Sequence, residues 1–477
     1  MVRLSTPLLA ALGLLADKAH GALDVNLDDP ASIKSAAALV AEDLLTFYHG
    51  DEPGMVPGIL PGPPPDGDYY WWQGGALWGT MLDYRHHTGD KSYDETVSQA
   101  LLWQVGPNED FMPPNWTASM GNDDQAFWGL SAMLATEVGY TDPPTDQPQW
   151  LALAQAVFNE QTHEDRRVPS GRCKWGLRWQ VYPSNNGYNY INTIANACYF
   201  NIGARLARYT DNSTYADLAN KTWDIISDLG YISDKWDVYD GAHLPDCTDI
   251  NKAQFSYNAA MLLQGAAFLY NYTDGSQIWK DRIDNLVDRM IEIFFPNNIA
   301  YEPSCEGTKC NADMESFKGY THRWMGSTMQ LAPYTRDKIY PVLKASTEAA
   351  VKQCTGGTNG RFCGFHWTTG VFDDKVGAGQ QMNVLGALIS LLSPDAQPPL
   401  TNNTGGTSVG DVNAGSDDPL VPTFAPITGG DKAGAGILTA ILIAGSLSAF
   451  AWMSLLLLFF SKNKLRLRMT KTKPVTA

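Results

Sequence analysis

The stretch Gly121-Asn122-Asp123-Asp124-Gln125-Ala126-Phe127-Trp128 opens a segment, 122–138, that carries almost no charge after its two acids. A helix that is apolar on nearly all sides is buried inside a protein. Asn122 is a favourable residue at a helix start, and acids in a first turn are stabilised by the helix dipole. The stretch therefore predicts a buried helix whose first turn holds two adjacent carboxylates.

Segments of this kind recur along the chain, and each is paired with an amphipathic segment that has a charged face. An internal period of roughly 50–67 residues indicates repeated supersecondary units. The buried segments are expected at 70–84, 122–138, 189–209, 254–271, 315–331 and 378–392. The amphipathic segments are expected at 29–48, 90–105, 147–160, 213–229, 276–295 and 336–353.

Six buried and six amphipathic helices predict an all-α fold, an (α/α)6 barrel with an inner ring inside an outer ring. A linear helical solenoid is the alternative. In a closed barrel every inner helix starts at the same mouth, where aromatic, amide and carboxylate side chains would line one cavity. Such walls fit a carbohydrate cleft. The residues expected there include Trp72, Asp123, Asp124, Asn192, Tyr257, Asn258 and Lys318, with Trp175, Arg178 and Trp179 in a loop above.

The composition excludes some functions. The 34 Lys and Arg residues are outnumbered by 51 Asp and Glu residues, which gives a net charge of −17. Nucleic acid is an unfavourable partner for such a surface, because phosphate contacts need basic side chains. The seven cysteines lack the spacing of a metal site, and His86-His87 is an isolated pair. We therefore expect no metal site and no cofactor.

The two ends of the chain differ from its middle. Residues 1–21 resemble a secretory signal peptide, which leaves 22–394 for the barrel. Residues 395–436 are rich in Pro, Gly, Thr and Asn and predict a flexible linker. Residues 437–460 are uncharged and long enough to span a bilayer, and 461–477 form a basic tail. The tail favours a transmembrane helix, and a GPI signal is the alternative.

A secretory route also agrees with the glycosylation sequons and the cysteines. Cys305 with Cys310, and Cys354 with Cys363, would close short loops; Cys173 with Cys247 is a further candidate pair. Cys198 is expected to be a buried free thiol. The protein is thus predicted at the cell surface or in an endomembrane, with its barrel outside the cytoplasm. Five asparagines begin N-x-Ser/Thr sequons and are predicted glycosylation sites: Asn115, Asn212, Asn220, Asn271 and Asn402.

The motifs together resemble those of glycoside hydrolase family 76, and in particular its fungal cell-wall mannan endo-1,6-α-mannosidases. The resemblance covers roughly residues 22–394 and depends on five short stretches. They are Gly121-Asn122-Asp123-Asp124-Gln125, Gly176-Leu177-Arg178-Trp179-Gln180, Asn185-Asn186-Gly187-Tyr188, Tyr257-Asn258-Ala259 and Phe317-Lys318-Gly319.

The resemblance implies an (α/α)6 barrel and retaining endo-hydrolysis of α-1,6-linked mannose. It implies Asp123 as the nucleophile and Asp124 as the general acid/base. In the fungal branch it also implies transglycosylation, in which mannose of a GPI core is the donor and a wall β-glucan is the acceptor. Side chains expected to bind substrate are Trp72, Asn122, Trp175, Arg178, Trp179, Asn192, Tyr257, Asn258 and Lys318.

Other functions remain open at this point. An unsaturated glucuronyl hydrolase shares the expected fold but acts on acidic sugars, which favour more basic residues at the mouth. A non-catalytic carbohydrate-binding receptor for the cell wall, held on a membrane stalk, would bind a glycan and never cleave it.

Overall fold

The computed structural model describes residues 23–116, 119–416 and 429–469. These residues divide into two units at residue 420, and each unit is described by itself. The predicted signal peptide lies outside the described residues, as do 417–428 of the predicted linker and the last eight residues of the basic tail.

The first unit is built from twelve long helices that alternate between two environments. Even-numbered helices are buried on nearly all sides. Odd-numbered helices bury one face, except the fifth, in which ten of the 13 residues are buried. In chain order they are α1 (Pro30–Leu45), α2 (Trp71–Thr88), α3 (Asp94–Trp103), α4 (Asn122–Glu137), α5 (Trp150–Thr162), α6 (Thr193–Thr210), α7 (Ser213–Asp228), α8 (Ser256–Tyr272), α9 (Gln277–Phe294), α10 (Phe317–Leu331), α11 (Arg336–Lys352) and α12 (Ala378–Ser390).

The even-numbered helices form a closed ring. Each packs against the next one along the chain, and α12 returns to pack against α2. The odd-numbered helices pack outside this ring; α5 lies on α4, α7 on α6 and α9 on α8. The predicted (α/α)6 barrel is therefore confirmed, and the linear solenoid is excluded because the last inner helix contacts the first.

Two glycines allow α10 and α12 to approach closely. A Cβ atom on Gly386 would lie 2.6 Å from the carbonyl oxygen of Gly319. A Cβ on Gly319 would lie 2.7 Å from the carbonyl oxygen of Met382. Real side chains do not reach such distances, so this pair of inner helices requires glycine at their crossing.

Helix α6 begins at Thr193, four residues later than the sequence pattern predicts. Residues Tyr190–Asn192 form a short strand, β1, which pairs antiparallel with β2 (Gly241–His243). Asn192 then caps α6, since its Oδ1 accepts a hydrogen bond from the backbone N–H of Ala195 at 3.3 Å. An Asn N-cap holds extended backbone before a helix, which lets a strand run directly into α6.

Three disulfides cross-link the unit as the sequence suggested: Cys173–Cys247, Cys305–Cys310 and Cys354–Cys363. Cys198 is buried and is the free cysteine of the described residues. Among the sequon asparagines, Asn115, Asn271 and Asn402 are exposed, and Asn212 and Asn220 are partly exposed. Their glycosylation stays a prediction.

Residues 396–416, which the sequence assigns to the linker, lie against the barrel. The N–H of Leu400 donates to the carbonyl oxygen of Glu137 at 2.7 Å, at the end of α4. The N–H of Leu151 donates to Ser408 Oγ at 3.1 Å, and Asn159 Nδ2 donates to the carbonyl oxygen of Ala414 at 2.8 Å. This part of the stretch is held by hydrogen bonds along α5.

In the second unit the described residues 429–469 form one helix, α13 (Gly429–Met469). Within it, Lys432–Leu455 spans 24 residues with a mean hydropathy of 1.8. By length and composition this segment is sufficient to cross a membrane.

Candidate active site

A cavity of about 170 Å³ opens at the end of the barrel where the inner helices begin. Carboxylates and aromatic rings from several inner helices and two loops converge on it. Its lining consists of Trp72, Asp123, Asp124, Phe127, Trp179, Phe255, Tyr257, Asn311, Asp313, Met314 and Phe317.

Both aspartates turn toward the N-terminal end of α4, which is the mouth of the barrel. Asp123 Oδ1 accepts a hydrogen bond from the backbone N–H of Asp124 at 3.1 Å. Asp124 Oδ2 accepts one from the backbone N–H of Gly121 at 2.7 Å. Consecutive helical residues normally point about 100° apart. These bonds to the free N–H groups of the first turn bring the two carboxylates to one cavity.

The two carboxylates differ in their surroundings. Asp123 is 9% exposed, and its Oδ2 faces Asn192 Nδ2 at 3.5 Å. Asp124 is more exposed. Hydrogen bonds to the charged form of a carboxylate favour ionisation, whereas access to solvent lets a group exchange protons. Both carboxylates accept hydrogen bonds, so the difference between them lies in solvent access, which makes Asp124 the better placed to give and take a proton.

Burial raises the pKa of both aspartates. The pKa of Asp124 rises to about 7, mainly through loss of solvation and further through the charge of Asp313, against the lowering effect of the Gly121 N–H. The pKa of Asp123 is raised by burial and then by the charge of Asp124. Two close, buried carboxylates cannot readily both be ionised, so this pair retains a proton to higher pH than two separate aspartates would.

Aromatic rings form the walls. The ring of Tyr257 stacks flat on Phe317, with centroids 3.8 Å apart and planes 6° apart. The ring of Trp72 packs on Phe127 with centroids 4.7 Å apart. Trp179 is fixed through its backbone, since its N–H donates to the carbonyl oxygen of Tyr190 at 2.8 Å. Flat apolar faces beside polar groups are suited to a sugar ring.

The cavity also holds a third carboxylate, Asp313, and the nearby Asn311, neither of which is among the predicted site residues. Trp72 Nε1 donates a hydrogen bond to Asp313 Oδ1 at 3.2 Å, and burial raises the pKa of Asp313 to about 6. Both residues lie in the loop between Cys310 and α10. Polar residues just before an inner helix are the signal that singled out Asp123 and Asp124, and the same signal is present here.

Of the side chains expected to bind substrate, Trp72, Trp179 and Tyr257 line the cavity, and Asn192 contacts Asp123 behind it. Arg178 lies outside the lining, where its guanidinium stacks 4.3 Å from the ring of Tyr188.

Trp175 faces a different groove, beside α7, with Lys221 Nζ 3.4 Å from its ring centroid. The expected role of Trp175 at the mouth does not agree with this position. The two tryptophans of one short loop therefore lie in different surroundings, Trp179 in the cavity and Trp175 outside it.

Three further expected residues are almost completely buried and do not line the cavity. Lys318 is 1% exposed, and its Nζ donates to Glu306 Oε1 at 3.0 Å and to the carbonyl oxygen of Phe365 at 2.7 Å. Asn122 and Asn258 are 0% exposed. Polar side chains at helix starts also serve internal hydrogen bonds, and sequence alone does not separate these uses.

Residues 32–403 match the profile of glycosyl hydrolase family 76. The chain belongs to this family. It is 41% identical over 454 residues to the mannan endo-1,6-alpha-mannosidase DCW1 of Saccharomyces cerevisiae, covering 93% of this chain and 98% of that protein. It is 42% identical over 437 residues to the DCW1 enzyme of Candida glabrata, covering 90% of this chain and 96% of that protein.

Solved structures agree with this membership. The crystal structure of Dfg5 from Chaetomium thermophilum, in complex with glucosamine, is similar with a TM-score of 0.80 and 54% identity, covering 83% of this chain and 98% of that one. The family 76 α-1,6-mannanase of Salegentibacter has a TM-score of 0.59 at 16% identity, covering 75% of this chain and 98% of that one. The second match shows that the same fold persists at low identity.

As a family 76 glycoside hydrolase, the chain has a site with the parts that glycoside cleavage needs. One carboxylate must attack or activate, and a second must donate a proton to the leaving oxygen. The pair on α4 supplies two carboxylates of raised pKa, and the aromatic walls supply a surface for the sugar.

Proposed function

We propose that this chain is a retaining, endo-acting α-1,6-mannosidase that also transfers mannosyl glycans to sugar acceptors. The observation that carries the proposal is the adjacent pair Asp123 and Asp124 in an aromatic cavity at the barrel mouth. Support also comes from the relatives, which are named as mannan endo-1,6-α-mannosidases.

In the first step Asp123 acts as the nucleophile and Asp124 as the general acid. The carboxylate of Asp123 attacks the anomeric carbon, and the bond from that carbon to the leaving sugar oxygen breaks. Asp124 gives its proton to that oxygen, so it must start protonated. Its raised pKa, about 7, keeps a useful fraction protonated at and below neutral pH.

The second step reverses the roles. Asp124, now ionised, takes a proton from water or from an acceptor hydroxyl, whose oxygen attacks the anomeric carbon and releases Asp123. Two inversions give overall retention. The greater exposure of Asp124 supports this assignment, because an acceptor must reach the base.

A sugar acceptor is proposed in addition to water. The acceptor class is a wall β-glucan, and the donor is α-1,6-mannan or the mannose core of a GPI-linked glycoprotein. Tyr257, Phe317 and Phe255 form an apolar wall on which an acceptor ring would displace water. Support for α-1,6-linked mannose also comes from the Salegentibacter enzyme, whose inactive variant lacking two consecutive aspartates binds α-1,6-mannotriose.

The test is a product analysis. The protein, purified in detergent, is mixed with a reducing-end-labelled α-1,6-mannotetraose, with and without a laminari-oligosaccharide acceptor, and products are identified by mass spectrometry. We expect internal cleavage without acceptor and a mannosyl–glucan product with it. Absence of any cleavage would contradict the hydrolase, whereas cleavage without a mixed product would contradict only the transfer.

A non-catalytic wall receptor is the second candidate. The same protein would then bind α-1,6-mannotetraose in calorimetry without turning it over. An enzyme for acidic sugars is disfavoured, because the described residues that line the cavity include three aspartates and no lysine or arginine.

We propose that the barrel lies outside the cytoplasm, at the plasma membrane or in an endomembrane. Support comes from the three disulfides and from the apolar segment Lys432–Leu455. An epitope tag after Ala477 distinguishes the two anchors. A transmembrane protein keeps the tag, whereas a GPI-anchored protein loses it with the cleaved tail.

A further inference from the structure

Every hydrogen-bonding group of Asn122, the residue before the two aspartates, is engaged. Its N–H donates to the carbonyl oxygen of Trp179 at 2.7 Å, and its carbonyl oxygen accepts from Gln161 Nε2 at 2.7 Å. Its Nδ2 donates to the carbonyl oxygen of Arg178 at 2.9 Å, and its Oδ1 accepts from Arg166 Nη1 at 2.5 Å. Asn122 is therefore a fixed point of the first turn of α4 and not a ligand for substrate.

Arg166 is the charged member of this arrangement and is 0% exposed. Its Nη2 lies 3.8 Å from Glu160 Oε2, and that same carboxylate oxygen accepts a hydrogen bond from Gln125. Asn122 precedes the catalytic pair and Gln125 follows it. One buried ion pair thus holds α4 on both sides of Asp123 and Asp124.

A buried ion pair is weak evidence for stability, since desolvation of two charges offsets much of their attraction. Such pairs are better explained by the single conformation that they specify. The guanidinium is planar and presents several donors in fixed directions, which suits one side chain that must meet both Asn122 and Glu160. Lysine offers one compact charge and cannot reproduce both contacts.

We propose that Arg166 is a positioning residue for the reaction. Through Asn122, and through Glu160 and Gln125, it fixes the first turn of α4 so that both aspartates face the cavity. This rests on the proposed function, in which Asp123 and Asp124 are the reacting carboxylates. Arg166 itself is not among the residues that line the cavity.

The barrel offers a matched control at the other end of the same helix. Arg205 of α6 is 3% exposed, and its Nη2 lies 2.6 Å from Oε2 of Glu137, the last residue of α4. Replacing Arg205 removes a comparable buried ion pair from α4, but it does so far from the mouth. A purely structural effect of losing such a pair would therefore be shared by both variants.

The experiment compares Arg166→Lys with Arg205→Lys in the detergent-purified protein, measuring kcat and KM on α-1,6-mannotetraose and the melting temperature. We expect Arg166→Lys to lose at least tenfold in kcat with KM changed less than threefold. We expect Arg205→Lys to keep kcat within twofold at a similar loss of melting temperature. Equal kcat values for the two variants, or a rise in KM alone, would overturn the proposal.

A second variant covers the case in which Arg166→Lys does not fold. Asn122→Ala removes the direct hydrogen bond from Arg166 to α4 and leaves the pair of Arg166 with Glu160 in place. We expect the same loss in kcat, and unchanged kcat would overturn the proposal. The activity of the wild-type protein distinguishes a failure of the proposed function from a failure of the role of Arg166. An inactive wild type rejects the proposed function and this role together, whereas an active wild type with an equally active Arg166→Lys rejects this role alone.

Discussion

Trp72 Nε1 donates a hydrogen bond to Asp313 Oδ1 at 3.2 Å, across 241 positions of sequence. The bond joins the start of inner helix α2 to the loop before α10. It fixes a third carboxylate on the wall of the cavity, where its charge raises the pKa of Asp124. Asp313 therefore helps to keep Asp124 protonated, as the proposed mechanism requires.

Asp313→Asn is expected to move the alkaline limit of kcat/KM to lower pH. Asp124 must be protonated in the first step, so activity falls as pH rises through its pKa of about 7. Removing the neighbouring negative charge lowers that pKa, and the fall then begins at lower pH. The reverse variant is Asn311→Asp, which adds a charge on the same wall and should move the limit to higher pH. Limits that stay in place in both variants would contradict this influence.

The two aspartates should respond differently to the leaving group. Asp124→Asn is expected to lose about 10²–10⁴-fold in kcat on a mannoside with a sugar leaving group, the usual contribution of an acid/base group. On an aryl mannoside with an acidic phenol the loss in the first step should be much smaller, because that leaving group needs no proton. Asp123→Asn should be inactive on both substrates. Burst kinetics with the two donors measure these losses. Equal losses for the two variants on both donors would contradict the assignment of Asp124 as the acid/base and Asp123 as the nucleophile.

Replacing Asp124 by asparagine should increase the stability of the protein although it lowers the activity. The folded state raises the pKa of Asp124 from 3.8 to about 7, so folding becomes less favourable as pH rises through that window. Asp124→Asn removes this penalty. We expect it to raise the melting temperature by roughly 2–5 °C at pH 8, with little change at pH 4. Asp246→Asn, at an exposed carboxyl, is the control for the loss of one carboxylate charge. An equal rise in melting temperature at pH 4 and pH 8 would contradict the free-energy cost of burying the ionised Asp124.

Trp179 and Trp175 provide a matched pair for substrate binding. Trp179 lines the cavity, whereas Trp175 lies in the groove beside α7 under Lys221. Trp179→Ala is expected to raise KM on α-1,6-mannotetraose about 10-fold, which corresponds to roughly 1.4 kcal/mol of lost contact. Trp175→Ala should leave KM within twofold. Initial-rate kinetics would contradict the site if the two variants gave the same KM.

The barrel could be predicted from sequence because burial dominates its pattern. An inner helix such as α4 is apolar on all sides, an outer helix such as α9 has one charged face, and their alternation implies two rings. The positions of the inner-helix starts then implied a shared mouth, and Asp123, Asp124, Trp72, Trp179 and Tyr257 are all found in the cavity.

The remaining parts of the site depend on contacts between residues distant in sequence. Lys318 and Asn122 are polar residues of the kind that bind sugars, but their side chains form hydrogen bonds inside the protein. Lys318 bonds to Glu306, and Asn122 bonds to Arg166. Asp313 has the local signal, a polar residue just before an inner helix, but its hydrogen bond to Trp72 joins residues 241 positions apart. Side-chain partners of this kind are set by tertiary packing, which sequence pattern does not contain.

The central claim is that Asp123 and Asp124 cleave an α-1,6-mannosidic bond with retention. The most direct measurement is ¹H NMR of the anomeric protons in the first minutes after the detergent-purified protein is added to α-1,6-mannotetraose. The account predicts that the α-anomer of the new reducing end appears first and that neither Asp123→Asn nor Asp124→Asn forms it. First appearance of the β-anomer, or cleavage by both variants at the wild-type rate, would contradict the account.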